Sequence, residues 1–459
     1  MRRSLLFSML VTVAVALAAP GAARANGRFP QSIDVHFKPG DDQVMALQVT
    51  FGLIVTTDGG AHWRWVCEEA VGFGGVYDPD YAFTSSGLLL ATTTSADGLR
   101  LTRDFCNWSQ APAPLGNTFA SQVEVGSDDT IFVAAAGGDD AQIYVSDDDG
   151  ATIAPRSSPG VAGDWWESLT VAPSTSGATT RLYLTGFRLV SGLKQRMMFR
   201  SDDAATTWVP LPITDFAFGG EGADLQIAAV SPTDPDLVYA RVFQANGMGI
   251  GDDIYRSVDA GQTWTRVFQS GDNVTAVVIR QSGQVVLATQ QSGVHVSTDG
   301  VTFGTPVATT PAAYCMQEHG GVLYLCSNGF LPDEMALGTG ATAGTWTPIL
   351  AYKDIQDAVS CAEGTAEHDV CAVQRWCPTV CQIGFDDPDC VCVTPTIDAG
   401  PGCPAGQVLT DAGSCVAEPP KDSCCNVGGG PGGAALLAVL VALPLTRRRR
   451  RRATARDRR

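Results

Sequence analysis

A short box recurs along this chain. In its fullest form it reads SVDAGQTW, Ser257 to Trp264: a hydroxyl, then an aspartate, a glycine and a closing tryptophan at fixed offsets. Thr56 to Trp63 reads TTDGGAHW, Ser146 to Ile153 reads SDDDGATI, and Ser201 to Trp208 reads SDDAATTW. Two copies one residue shorter read TRDFCNW from Thr102 and STDGVTF from Ser297. The aspartates Asp58, Asp104, Asp148, Asp203, Asp259 and Asp299 stand 46, 44, 55, 56 and 40 residues apart. A worn seventh copy, LGTGATAGTW, ends at Trp346. Self-similarity at such a period confines the chain to repeat architectures.

Each copy has the same surroundings. Two apolar runs precede the box, as in TIFVAAA and AQIYVS or GQVVLATQ and GVHVS. One more lies upstream, as in ASQVEV or NVTAVVI, and another begins at the closing aromatic residue. These runs read as four strands per repeat. With 50 glycines and only 17% charged residues, the body lacks the periodic arrays that long helices need. A four-stranded twisted sheet cannot bury both faces alone, and radial packing of six to eight of them does so. The sequence therefore predicts an all-β chain whose residues 26–358 form a β-propeller, with seven blades in the favoured register.

The box makes sense as the turn between the third and fourth strands of a blade. Its Asp carboxylate accepts backbone N–H groups of the turn. Its Gly supplies a positive φ, and its aromatic residue fills the space between sheets. In these features residues 32–350 resemble the Asp-box repeats of sialidases and sortilin-type receptors. That resemblance implies a propeller and structural rather than catalytic aspartates. It leaves function open, because the fold serves hydrolases, receptors and assembly factors alike.

Successive turns of a meander alternate between two ends, so the boxes face away from the blade-to-blade connections. Three connections carry acids, aromatics and glycines: CEEAVGFGGVYDPDYAF from Cys67, GDWWES from Gly163, and TDFAFGGEGAD from Thr214. Trp165 and Trp166 are candidates to stack on a sugar ring or a partner's apolar surface. Asp78, Asp80, Glu167, Glu221 and Asp224 are candidates to bind a cation or polarise a hydroxyl. Glycoside hydrolysis needs two carboxylates about 5–9.5 Å apart, and these loops hold enough acids for that. Sialidase chemistry further implies an arginine triad and a Tyr–Glu pair. Here Arg200 and Arg256 each merely precede a box serine, and Gly27-Arg28-Phe29-Pro30 matches the family's early motif only faintly. The histidines His36, His62, His295, His319 and His368 form no metal-ligand pair, and no GxSxG, P-loop or dinucleotide fingerprint is present. No cofactor or metal site is expected.

The first 25 residues read as a secretory leader: Arg2 and Arg3, an apolar stretch from Leu5 to Ala19, and a small-x-small site at Ala23-Arg24-Ala25. The net charge is −18, but the leader and the Arg-rich end mask a body near −29. Such a surface excludes nucleic acid as a partner and suits cations or neutral and basic ligands. Of 14 cysteines, ten follow residue 360. In an exported chain they read as disulfides rather than zinc ligands, including at Cys377 and Cys381 or Cys390 and Cys392. Cys315 and Cys326 lie opposite each other if Gly320-Gly321 turns a hairpin. Cys67 and Cys106 are expected to clip blade 1 to blade 2.

Residues 359–382 read as a Cys-rich cap and 383–423 as a Pro/Gly/Asp-rich, disulfide-pinned stalk. Residues 424–459 hold a cysteine pair, Cys424 and Cys425, a Gly-rich spacer, an apolar span from Ala434 to Leu445, and six arginines from Arg447. The positive-inside rule keeps those arginines cytoplasmic. The tail resembles the C-terminal sorting signals of myxobacterial surface proteins, which implies membrane contact, processing at one of the two cysteines, and display at the cell surface or outer membrane. The expectation is an exported, C-terminally anchored propeller that binds a glycan, peptide or envelope partner. The alternatives are a surface glycoside hydrolase or lyase and a structural or assembly factor.

Overall fold

The computed structural model describes residues 29–392, apart from 75–76, 94–97, 116–117, 136–140, 174–179, 331–333 and 386, plus the backbone of 407–409 and 415–417. The leader, Cys424, Cys425 and the rest of the tail, and most of the stalk lie outside these residues.

The repeats fold into seven sheets, one per box copy. Their first strands are Ser32–Phe37, Tyr81–Phe83, Ala120–Val125, Asp164–Val171, Asp224–Val230, Val274–Ile279 and Cys315–His319. Each first strand touches the next, and the seventh touches the first, so the sheets close as the blades of a propeller. Blades are numbered here in that order. Every blade is an antiparallel meander of the strands predicted from the box spacing. Blade 6 has three regular strands, and a bridge from Val294 to Ala308 stands in for the fourth. Gly293 permits that approach: its φ is 102°, and a Cβ there would lie 2.2 Å from the Ala308 carbonyl oxygen.

Second strands such as Met45–Val49, Ile131–Ala135 and Val285–Thr289 are buried at every position. A blade is covered on both faces by its neighbours, so these strands read as continuous apolar runs rather than alternations. Each buried Leu, Ile or Val contributes about 1.5–3 kcal/mol in transfer free energy. The seam between blades 7 and 1 is polar as well as apolar. Gln317 Nε2 donates to Asp34 Oδ1 at 2.8 Å, and the rings of Phe37 and His319 stack 4.2 Å apart.

All seven boxes join third and fourth strands, as in Gly52–Thr56 to Trp63–Val66 and Asp253–Ser257 to Thr265–Gln269. In the box from Ser257, Asp259 Oδ1 accepts the Ser257 hydroxyl at 2.7 Å and the Thr263 N–H at 2.9 Å, and Gly261 N–H donates back to Ser257 Oγ at 2.9 Å. Asp58, Asp148, Asp203 and Asp299 repeat this pattern, and Asp104 does so with Cys106 and Asn107 as donors. In the worn copy Thr342 stands where the others have aspartate.

After blade 7 the chain returns to blade 1. Strand Ile355–Ala358 pairs in parallel with the outer strand Trp63–Val66, giving that sheet a fifth strand. A π-helical segment, Glu367–Arg375, and an α-helix, Trp376–Ile383, follow. The cysteine pairing corrects one expectation. Cys67 and Cys106 are not bonded to each other: Cys67 bonds Cys371 and Cys106 bonds Cys361. Both blades are thus fastened to the returning segment, which lies over their outer edges. Cys315 and Cys326 are cross-strand partners with Cα atoms 4.8 Å apart. Cys377–Cys390 and Cys381–Cys392 tie the helix to the stretch after it. Separately, Gln407–Leu409 and Cys415–Ala417 form a small antiparallel hairpin. Among the described residues no helix is long and apolar enough to cross a membrane.

Candidate functional site

The end of the propeller opposite the boxes holds the blade connections and the turns between second and third strands. Its chemistry divides into two regions.

The first lies between blades 4 and 5. Glu167, on the first strand of blade 4, has a nearly buried carboxyl. Lys194 Nζ lies 3.3 Å from Glu167 Oε1, and Leu225 N–H donates to Oε2 at 3.3 Å. The same Lys194 ammonium pairs with Asp224, and its backbone N–H donates to Glu221 Oε2 at 2.6 Å. Three of the five acids singled out from the sequence therefore gather around one lysine. Burial, and then the adjacent Asp224 carboxylate, push the Glu167 carboxyl well above the ordinary carboxylate range. The Lys194 ammonium bridges the two carboxylates. Lys194 carries no sequence signal. It sits on a hairpin between Leu193 and Gln195, and only tertiary packing brings Glu167 of its own blade and Glu221 and Asp224 from the approach to blade 5 to it.

Trp165 and Trp166 do not act as a pair. Neighbouring residues of a strand point to opposite faces. Trp166 is 1% exposed and meets Phe199 edge-on at 6.2 Å. Trp165 is 38% exposed and leans on Phe119 at 5.1 Å. Only Trp165 is available to a ligand. Just before it, Asp164 is fully buried and holds Arg188 through both carboxylate oxygens at 2.5 and 2.7 Å. This cross-strand pair pins the start of the strand that presents Trp165.

The second region lies along the first strands of blades 1 to 3. Asp80 Oδ2 accepts the Val123 N–H at 2.7 Å, linking blade 2 to blade 3. Burial raises its carboxyl to about 7. Burial, then Asp80 and Asp34, raise the Glu124 carboxyl well above its ordinary range, and burial lowers His36. Asp78 is half-buried beside Tyr81. Asp78 and Asp80 are thus two blades away from Glu167, Glu221 and Asp224, and the five acids do not line one cleft. Asp34, His36 and Glu124 were not singled out from the sequence. They read there as ordinary polar positions of inner strands, and only ring closure turns them toward one another.

Among the described residues, one group of three potential metal ligands has its donor atoms within 4.8 Å of one another: Cys67, Glu367 and Cys371. Its two sulfurs are bonded to each other and cannot serve as thiolate ligands.

No protein-family model matches the sequence, and no curated protein matches it. Among solved structures, the chain is similar to a GH74 enzyme from Niastella koreensis at 14% identity and TM-score 0.38, over 69% of this chain and 65% of that one. It is similar to YCF48 from Cyanidioschyzon merolae at 12% identity and TM-score 0.45, over 65% of this chain and 93% of that one. It is also similar to the extracellular domain of a one-component system from B. thetaiotaomicron, at 10% identity and TM-score 0.45, over 66% of this chain and 38% of that one. The chain spans 65% of the GH74 enzyme and 38% of that extracellular domain. At these values the similarity adds nothing to the strand pairing, and the propeller rests on the closed ring of blades.

Proposed function

We propose that this chain is an exported, surface-attached propeller of the Asp-box type that acts as a binding module through the end opposite its boxes. One observation carries the reading. Exposed apolar side chains collect at that end while its acids are engaged with protein partners. Tyr77 and Val161 lie on blade connections, Trp165 at the start of the first strand of blade 4, Leu189, Val190 and Leu193 on the hairpin of blade 4, and Met248 and Ile250 on that of blade 5. Solvent-facing apolar side chains grouped on one face mark interaction sites. Gly247, Gly249 and Gly251 all have positive φ in the loop that carries Met248, so that contact surface can adapt. The acids of the blade 4–5 seam hold Lys194, which favours positioning over hydrolysis. The leader and the five disulfides support export, and the sorting-like tail supports attachment.

The test uses the exported protein, with its disulfides formed, on immobilised bacterial and plant polysaccharides and on envelope proteins. Retention without release of sugar is expected. It should fall on Trp165→Ala or Met248→Asp and persist on Val258→Asp at the box end. Released sugar that disappears on Glu167→Gln would replace this reading with a hydrolase.

A further inference from the structure

The hairpin of blade 4 differs from the other six. Its second and third strands, Leu182–Val190 and Leu193–Ser201, run nine residues each. The corresponding strands of blade 1, Met45–Val49 and Gly52–Thr56, run five. The turn is Ser191-Gly192, with φ of 54° and 84°, and it sets Val190 opposite Leu193. Along such a hairpin, alternate residues turn their N–H and C=O outward, away from the partner strand. Lys194, Arg196 and Met198 form the outward set here: Lys194 N–H reaches Glu221, and Met198 C=O accepts the Leu211 N–H at 2.8 Å.

The strand that pairs along that outward edge is short, and the connection at Gly220–Ala223 is held beside it by the Arg196 guanidinium. The fourth strand, Val209–Pro210, pairs only with Arg200 and Phe199. In blades 2 and 3 the amide after the fourth strand reaches the first residue of the third strand, from Ala111 to Leu99 and from Arg156 to Ile143. In blade 4 the equivalent amide reaches only Met198, so residues 193–197 overhang. Among the described residues, the N–H and C=O of Arg196 have no hydrogen-bond partner. The Lys194 N–H is held by a side chain, Glu221, rather than by a strand. Leu193, at the tip, is 58% exposed.

We propose that this overhanging edge is a docking site for an extended, basic peptide segment of a partner protein, which adds to blade 4 as a strand beside Leu193–Met197. The proposal rests on the reading of this end as an interaction face and names what it takes. Outward N–H and C=O groups at strand spacing are matched by another backbone, not by a sugar or a lipid. Unpaired sheet edges are the usual templates for strand addition. The chain already completes blade 1 in this manner with its own strand Ile355–Ala358. The incoming strand releases the Glu221 carboxylate from Lys194 N–H. In a protein of net charge −18, that carboxylate is best met by a Lys or Arg of the peptide. Leu193 and its cross-strand partner Val190, which share one face of the hairpin, then receive apolar side chains from alternate positions.

The probe is a displayed dodecapeptide library panned on the full exported protein, followed by synthetic copies of the selected peptides. The expected peptides alternate apolar residues and carry Lys or Arg. They slow hydrogen exchange at the Lys194 and Arg196 amides, and Leu193→Asp weakens them about tenfold with an unchanged melting temperature. Peptides that bind without slowing exchange at these amides overturn the strand-edge proposal. If their binding still falls with Trp165→Ala, the interaction face itself stands. Failure to select any peptide also overturns the proposal, and polysaccharide retention sensitive to Trp165→Ala again separates that outcome from failure of the face.

Discussion

At Asp259 one carboxylate organises a turn. It takes the Ser257 and Thr263 hydroxyls and the Thr263 N–H, and so holds Ala260 and Gly261 at φ of 56° and 86°. Burial acts to raise the Asp259 carboxyl, but the Thr263 and Ser257 hydrogen bonds outweigh it and hold the group below its ordinary range. At Asp58 the His62 ring, 2.5 Å away, is the main cause of a fall to about 2. A lowered carboxylate stabilises the fold above its unfolded value of 3.8 and loses that contribution as pH falls through the folded value. Stability should therefore drop between pH 4 and about 2 as several boxes protonate together. Asp259→Ala is expected to cost about 1–2 kcal/mol, seen as a lower melting temperature with unchanged partner retention. An unchanged melting temperature with lost retention would make the box a binding site. Glu367 has the opposite sign. Its carboxyl is fully buried beside the Cys67–Cys371 bond, and burial pushes it from 4.5 up to about 8. Its contribution is complete below pH 4.5 and is lost as pH rises through 8. Melting curves should show the wild type losing stability relative to Glu367→Gln between pH 5 and 8. Parallel profiles would mean that Glu367 does not titrate in this range.

At the scale of elements, the returning segment substitutes for a blade's missing edge partner. Strand Ile355–Ala358 covers the outer strand of blade 1, and two disulfides fix it with sequence separations of 304 and 255 residues. Closing loops of this length constrains the unfolded chain by ~3–5 kcal/mol each. The double substitution Cys67→Ser, Cys371→Ser should lower the denaturation midpoint by a corresponding amount and expose the segment after Ile355 to protease first. Unchanged proteolysis would show that the strand pairing alone holds the ring. The pairing itself was not legible in the sequence. Cys67 and Cys106 lie just after and just within consecutive boxes, which suggested a direct clip. Their true partners come from the other end of the chain, brought over blades 1 and 2 by ring closure. The Trp165-Trp166 dipeptide was misleading for a simpler reason, since strand alternation sends one ring into the blade and the other to solvent.

Over the whole molecule, the negative body surrounds an end where apolar tips rise from engaged acids. A body near −29 should give no retention on immobilised DNA or RNA at 0.1–0.2 M salt; salt-sensitive retention would point to a basic patch. The sequence alone determined the fold class, the strand order and the side of the propeller that the boxes occupy, and it favoured seven blades within a range of six to eight that the structure closes at seven. These follow from local rules: hydrophobic period, turn chemistry, and a repeat too small to bury its own faces. Which residues meet across blades was decided only by the tertiary structure. Glu167, Glu221 and Asp224 find Lys194, Cys67 and Cys106 find the returning segment, and the long hairpin of blade 4 outruns its fourth strand. These contacts join positions separated by dozens to hundreds of residues, and no local pattern encodes them. They depend on the angle at which each blade packs on the next and on where the ring closes.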